Sequence, residues 1–398
     1  MRETGRLDLD ERAMVLERQR TLKMARSAHA YVRGNTGTFY DWLDGLNRGT
    51  LPEGPPVWIC GDCHLGNLGP LADADGRVDV QIRDLDQTVI GNPAHDLVRL
   101  GLSLASAARG SDLPGAVTAR MLDGMMRGYA SGLGGPMGDG PAEPDVVRSV
   151  RRRALGRHWK HLARERLKDV EPAIPLGRKF WALDDAEWHA LKELFRETRV
   201  RNLVLSLESR REGAEMRLLD AAYWMKGCSS LGHLRYAALV RITESDGKRK
   251  LALVDLKEAV AAVAPAAPGA EMPADHAERV VAGARALSPN LGERMLPVRL
   301  LDRPVVMREL RPQDLKLDVD QFSQGEAVRA AHYLAHVVGR AHGRQMEETS
   351  AKAWRRDLAG GSSATPSWLW SSVVELAGRH EVGYLEHCRR YAAEQEAA

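Results

Sequence analysis

Residues 215–259 read EMRLLDAAYWMKGCSSLGHLRYAALVRITESDGKRKLALVDLKEA. Three segments rich in apolar and β-branched residues alternate with short turns, one carrying two glycines (KGCSSLG, 226–232) and one built on Ser-Asp-Gly (TESDGKRK, 243–250). Turns this short join only antiparallel neighbours, because a parallel pair needs a crossover of a dozen residues or more. An Ala/Pro linker and a helical stretch, HAERVVAGARALS, follow, then two more strand-like runs, MLPVRLLD and RPVVMREL. The pattern predicts a small antiparallel sheet with one helix over residues 215–311.

The rest of the chain reads mainly as helix. Residues 8–48 are helical with a break at GNTG, 34–37; DLVRLGLSLASAAR from Asp96 has the spacing of a buried helix; QGEAVRAAHYLAHVVGRAHGRQ from residue 324 is amphipathic. The exception is 55–86, where PPVWIC reads as a short buried strand after a Pro/Gly turn and RVDVQIRDLD leaves a D-A-D-G turn with Val78, Val80 and Ile82 alternating. A hairpin is predicted to tie this segment to the Cys60 region. The expected organisation is therefore α+β: residues 1–214 a first helical part carrying the 57–100 block, 215–311 a sheet lobe, and 312–398 a second helical part.

At 44% hydrophobic and 28% charged residues, with a net charge of +3, the 398-residue chain has the composition of an ordinary globular protein. It contains no apolar run of about 18 residues, so no membrane span is expected. The N-terminal MRETGRLDLDERAMVLERQR lacks the apolar core of a secretory signal, and four cysteines in so long a chain suit a reducing compartment, so a cytoplasmic protein is expected. The basic stretch RSVRRRALGRHWKHLARERLK, 148–168, reads first as a solvated helix face, and nucleic acid is disfavoured as a partner.

Within VWICGDCHLGNLG, 57–69, the spacing C-x-x-C-H matches a haem attachment site. Haem attachment requires export, zinc lacks a second Cys/His pair at suitable spacing, and a redox pair belongs at a helix start rather than a strand end. Cys60 and Cys63 are thus expected to be packing residues, and the chemistry to lie in the letters between and after them. Asp62 and Asn67 stand five apart, and Asp84 and Asp86 follow across the hairpin. Carboxylate and amide oxygens suit a hard cation such as Mg2+, and a carboxylate beside an acceptor hydroxyl can orient it and take its proton. Against this, Asp62 and Asn67 could serve only as turn and cap residues, and Asp86 either as a second ligand or as a turn cap.

The blocks GDCHLGN and IRDLD resemble the catalytic and metal-binding elements of aminoglycoside and choline phosphotransferases, and IGNPAHDLVRL resembles the segment that follows them. Cys60 stands where that pattern has a histidine that braces the loop. KGCSSLG is similar to a kinase glycine-rich loop, LVDLKEA to the strand bearing the phosphate-binding lysine, and MREL to the hinge strand. The catalytic elements precede the nucleotide lobe, and this permuted order, with YVRG at 31–34, RDLDQT and RAHG at 340–343, resembles the uncharacterised bacterial family known as domain of unknown function 2252.

The resemblance implies a two-lobed, sequence-permuted protein-kinase-like fold that binds ATP and Mg2+ and transfers phosphoryl to a hydroxyl of an unknown small-molecule or protein acceptor. It gives Asp62 the role of base and Asn67, Asp84 and Asp86 those of metal ligands. Lys257 with Gly227, Ser229, Ser230 and Gly232 would hold the nucleotide. Asp96 is expected to brace the loop, and His64 either to orient it or to make a structural hydrogen bond. Where the family has an acidic partner for the lysine, this chain has Ala282, so either Glu278 substitutes or another group holds Lys257; Glu258 should point to the opposite face of its strand. A nucleotide-binding pseudokinase and a kinase-like AMP transferase remain as alternatives.

Overall fold

A computed structural model describes residues 9–134, 140–157, 173–205, 214–226, 232–315, 323–359 and 366–396. The protein is a mixed α+β structure whose strand ladders, among the described residues, are all antiparallel.

The predicted sheet forms from β6 (Glu215–Trp224), β7 (Arg235–Thr243), β8 (Arg249–Glu258), β9 (Met295–Leu300) and β10 (Arg303–Leu310). A two-residue strand, β5 (Phe180–Trp181), joins its edge, giving the order β5-β6-β7-β8-β10-β9. The sequence expectation began the sheet at 215; two residues carry no readable alternation, and β5 is fixed by pairing with Tyr223 and Trp224. Period-two alternation sorts the two faces. Tyr236, Ala238, Val240, Val254 and Leu256 pack under α7 (Asp185–Leu194) and α8 (Thr198–Leu205), while Ala237, Leu239, Leu253 and Leu310 pack with Ile174, Phe180 and Trp224 on the other face. On β8 that second face also carries Asp255 and Lys257.

N-terminal to the sheet come α1 (Leu9–Ala25), α2 (Ala28–Gly34) and α3 (Thr36–Asp44), broken where expected, at 34–37. Ser27 and Asn35 cap α2 and α3 by accepting backbone N–H groups. The expected hairpin is β2 (Leu68–Ala72) with β3 (Val78–Ile82), closed by the Asp73–Gly76 turn. The Cys60 strand itself, β1 (Val57–Ile59), pairs instead with β4 (Val89–Gly91).

Behind these strands lie α4 (Pro93–Gly110), α5 (Gly115–Gly132) and, far along the chain, α11 (Gln324–Gly343). The backbones of α5 and α11 approach so closely that a Cβ on Gly128 would meet the His332 carbonyl at 1.9 Å, and one on Gly339 the Tyr129 carbonyl at 2.3 Å. Between them in the chain come α6 (Asp145–Leu155), α9 (His276–Leu287) and α10 (Pro289–Gly292), and α12 (Glu348–Ala359) and α13 (Ser367–Glu396) close the chain. Of the basic stretch 148–168, α6 carries the first part and residues 158–168 lie outside the described residues. No described helix is long and apolar enough to cross a membrane.

Candidate active-site cleft

The loop leaving β1 turns at Gly61, whose φ is +73°; a Cβ there would also lie 2.2 Å from the Gln87 carbonyl oxygen. Only glycine meets both demands. The turn is pinned by Asp96 in the first turn of α4, whose two carboxylate oxygens accept from Cys60 N (2.7 Å) and Gly61 N (2.9 Å). Asn92 caps that helix and Pro93 opens it, so Asp96 is presented at a helix start, where a negative charge is favoured. His342 on α11 stands behind it, Nε2 3.2 Å from Asp96, with Tyr129 Oη at 3.0 Å from its Nδ1 and Trp354 Nε1 donating to Tyr129 at 3.1 Å. The network is self-consistent if His342 carries its proton on Nε2: indole gives to phenol, phenol to Nδ1, and Nε2–H to the carboxylate. Asp96 thus braces the loop, as expected; the histidine, tyrosine and tryptophan behind it had no role in the sequence reading.

The turn projects Asp62 towards the sheet lobe. One of its oxygens accepts from Arg99 Nε at 2.9 Å, and the other lies 3.8 Å from His64 Nε2. Arg99 is itself buried and also donates to the Val32 carbonyl at 2.8 Å. Burial pushes the Asp62 carboxyl up from its ordinary value; Arg99 opposes that shift, and the nearby negative charge of Asp84 adds to it. Asn67 donates from Nδ2 to the Asp62 carbonyl at 2.9 Å, which orients its amide and turns Oδ1 the other way.

Asp84 and Asp86 follow β3 in the Arg-Asp-Leu-Asp run. The Asp86 carbonyl accepts from Arg279 of α9 at 3.0 Å, and the same guanidinium holds the Thr88 and Val260 carbonyls. Lys257 reaches from β8 to both carboxylates: Nζ contacts Asp86 Oδ2 and lies 3.5 Å from Asp84 Oδ1. Although partial desolvation by the surrounding cleft pushes Asp84 up, the charges of Lys257, Arg308 and Arg235 hold it well below the usual carboxylate range. Burial and the neighbouring Asp84 push Asp86 the other way. The question of what holds Lys257 is thereby answered. Glu278 is exposed on α9, and Glu258, on the opposite face of β8, accepts from Arg303 at 3.0 Å. Next to Lys257, Asp255 takes a two-pronged bond from Arg235 (2.9 and 2.6 Å) and a longer contact from Arg308 at 3.4 Å.

These pieces line one cleft of about 310 Å³, in which Asp62, Asn67, Asp84, Asp86 and Lys257 face one another. Its far wall is the GNTG turn and start of α3, and His233 stands at its sheet side. Gly232, with φ +102°, is described beside His233 and is not part of the lining; Gly227, Ser229 and Ser230 lie outside the described residues. Cys60 and Cys63 are buried, unpaired thiols; the contact between them and burial push Cys60 far up, and Cys63 is raised as well. They pack the loop as small apolar residues do. Among the described residues, no three His, Cys, Asp or Glu side chains gather as a metal-holding group. Two carboxylates and an amide lining one cleft are nonetheless the oxygen-rich donor set that Mg2+ takes when it keeps waters and substrate oxygens as its other ligands.

Arg99 and Arg279 were missed by the sequence reading. The available signal was an arginine on an otherwise apolar helical stretch in each case, which inside a fold must find a carboxylate or carbonyls.

A family model described as uncharacterized protein conserved in bacteria (DUF2252) matches residues 12–390. The chain belongs to the DUF2252 family. No curated protein and no solved structure matches this DUF2252 member.

Proposed function

We propose that the cleft is the active site of a Mg2+- and ATP-dependent phosphotransferase acting on a hydroxyl, in a kinase-like fold with permuted order. The observation that carries this reading is convergence. Residues from three separate parts of the chain (62 and 67, 84 and 86, and 257), the first four singled out for their oxygen chemistry and Lys257 by resemblance, meet in one cleft. The order of parts in the sheet supports it too: a segment with two glycines in its sequence connects the first two long strands, a lysine stands near the end of the third, and a helix follows, as in protein kinases.

In this reading Asp62 takes the proton of the acceptor hydroxyl as its oxygen bonds the γ-phosphorus and the bond to the departing ADP breaks. A carboxyl raised above its ordinary value is the better base for that task. Asp96 and Arg99 hold Asp62 in place. Asp84, Asp86 and Asn67 would hold Mg2+, which when bound neutralises phosphate charge. Lys257 would bind the nucleotide phosphates. A nucleotide-binding scaffold without turnover is the second reading, favoured by one observation: Lys257 is paired with Asp84 and Asp86 rather than with a helix glutamate.

A thermal-shift series with ATP, with and without Mg2+, on the wild type and Asp84→Ala tests the site. A Mg2+-dependent rise that the variant loses is expected; an equal rise in both would remove Asp84 from the site. Intact mass of products then separates phosphoryl transfer, AMP transfer and no transfer.

A further inference from the structure

Lys257 is the buried member of its cluster. Its side chain is 14% exposed, against 52% for Asp84 and 31% for Asp86, so the carboxylates keep an open side towards the cleft while the ammonium approaches from the sheet. Two carboxylates and one ammonium leave the trio with a net charge of −1. Two carboxylates so close together need a cation between them to stay ionised. Here the chain supplies its own.

Resting on the phosphotransferase reading, we propose that Lys257 is the resident counter-ion of the divalent-cation site. A metal ion that takes Asp84 and Asp86 displaces its ammonium, and the displaced Lys257 is then the one that meets the nucleotide phosphates. Ammonium and metal compete for the same oxygen lone pairs and repel each other at a few ångströms. The neighbouring arginine cannot exchange roles with the lysine, because Arg235 is already spanned by Asp255. Metal alone therefore binds against the cost of evicting Lys257. Metal together with a polyphosphate does not, since the ammonium passes from carboxylate to phosphate oxygens. Metal and nucleotide are thereby coupled: each raises the affinity for the other, by the same factor. Lys257 acts as the switch between an empty site and a loaded one.

The experiment is titration with Mn2+ alone, free metal being read by electron paramagnetic resonance, on the wild type, Lys257→Met and Lys257→Met/Asp86→Asn. Removing the ammonium changes the trio's charge from −1 to −2. Lys257→Met should therefore bind Mn2+ about tenfold more tightly or better, and the added Asp86→Asn should cancel the gain. Equal or weaker binding by folded Lys257→Met overturns the proposal. If ATP still raises the Mn2+ affinity of the wild type in that case, the phosphotransferase reading stands without it. Absence of Mn2+ binding by wild type and variant, with and without ATP, removes both. A measurement on the wild type guards against a variant that does not fold: limited acetylation of lysines, read by mass spectrometry. Mg2+ alone should speed acetylation of Lys257 as the ammonium is released from its carboxylates, and an unchanged or slower rate overturns the proposal.

Discussion

Replacing Asp96 with Asn changes one oxygen to an NH2 group at the point where the fold holds its candidate catalytic loop. The carboxylate accepts from Cys60 N at 2.7 Å and Gly61 N at 2.9 Å, one on each oxygen, and is 1% exposed. Asparagine keeps one acceptor and turns a donor towards the other amide. The lost charge-assisted bond is worth about 1.5–3 kcal/mol, and the buried N–H left facing a donor costs about 1–3 kcal/mol more. Together these predict a loss of about 2.5–6 kcal/mol, a large part of the roughly 5–15 kcal/mol that holds a protein folded. Urea unfolding followed by tryptophan fluorescence measures the total. Hydrogen exchange in the peptide spanning Cys60 and Gly61 measures it locally, where protection should collapse. Asp79→Asn, which removes a half-exposed pair with Arg340, is the control and should cost no more than about 1 kcal/mol. If Asp96→Asn stayed within about 1 kcal/mol of wild type with the loop amides still protected, the bracing argument would be wrong.

Asp255→Asn should cost about 3–5 kcal/mol at pH 7, because it leaves the buried Arg235 without its counter-charge. Arg235 outweighs burial and holds the Asp255 carboxyl well below its ordinary range. The stability it contributes is therefore complete above the unfolded value of about 4 and lost as the pH falls through the folded one. The gap between wild type and variant should be flat from about pH 5 to 8 and close on acidification; a gap that widens in acid would contradict the assignment. Cys60 and Cys63 should react with a thiol reagent no faster than the protein opens, since both are buried with raised thiol values. Rapid labelling of either in the folded protein would revive a redox role for the pair.

What the sequence made legible was local. The β2–β3 hairpin, the capped break around residue 35 and the strands on either side of Ser-Asp-Gly are written in turn chemistry and alternation, which act over a few residues, whereas the break at residue 27 went unread. Asp62, Asn67, Asp84 and Asp86 could be singled out because each sits in a short polar run between apolar ones. What could not be read is long-range. Arg99 finds Asp62 37 positions away, Arg279 finds Thr88 across 191, and His342 finds Asp96 across 246. No periodicity encodes such partners; they follow from how α4, α9 and α11 are stacked. Lys257 is the instructive middle case. Its strand and face were readable from period two, whereas its partner depended on where the β3 hairpin is carried by the rest of the fold.

The closeness of α5 and α11 has a consequence for how the protein is made. The glycines that let the two backbones touch also set the distance at which His342 meets Asp96. On the ribosome, the loop bearing Asp62 emerges well before the histidine behind its brace. Until α11 follows, the nascent chain holds Asp96 without His342 and α5 without the helix that covers its glycine face. The brace behind the loop is completed only when α11 is made, so the emerging chain must keep that face from other partners until then.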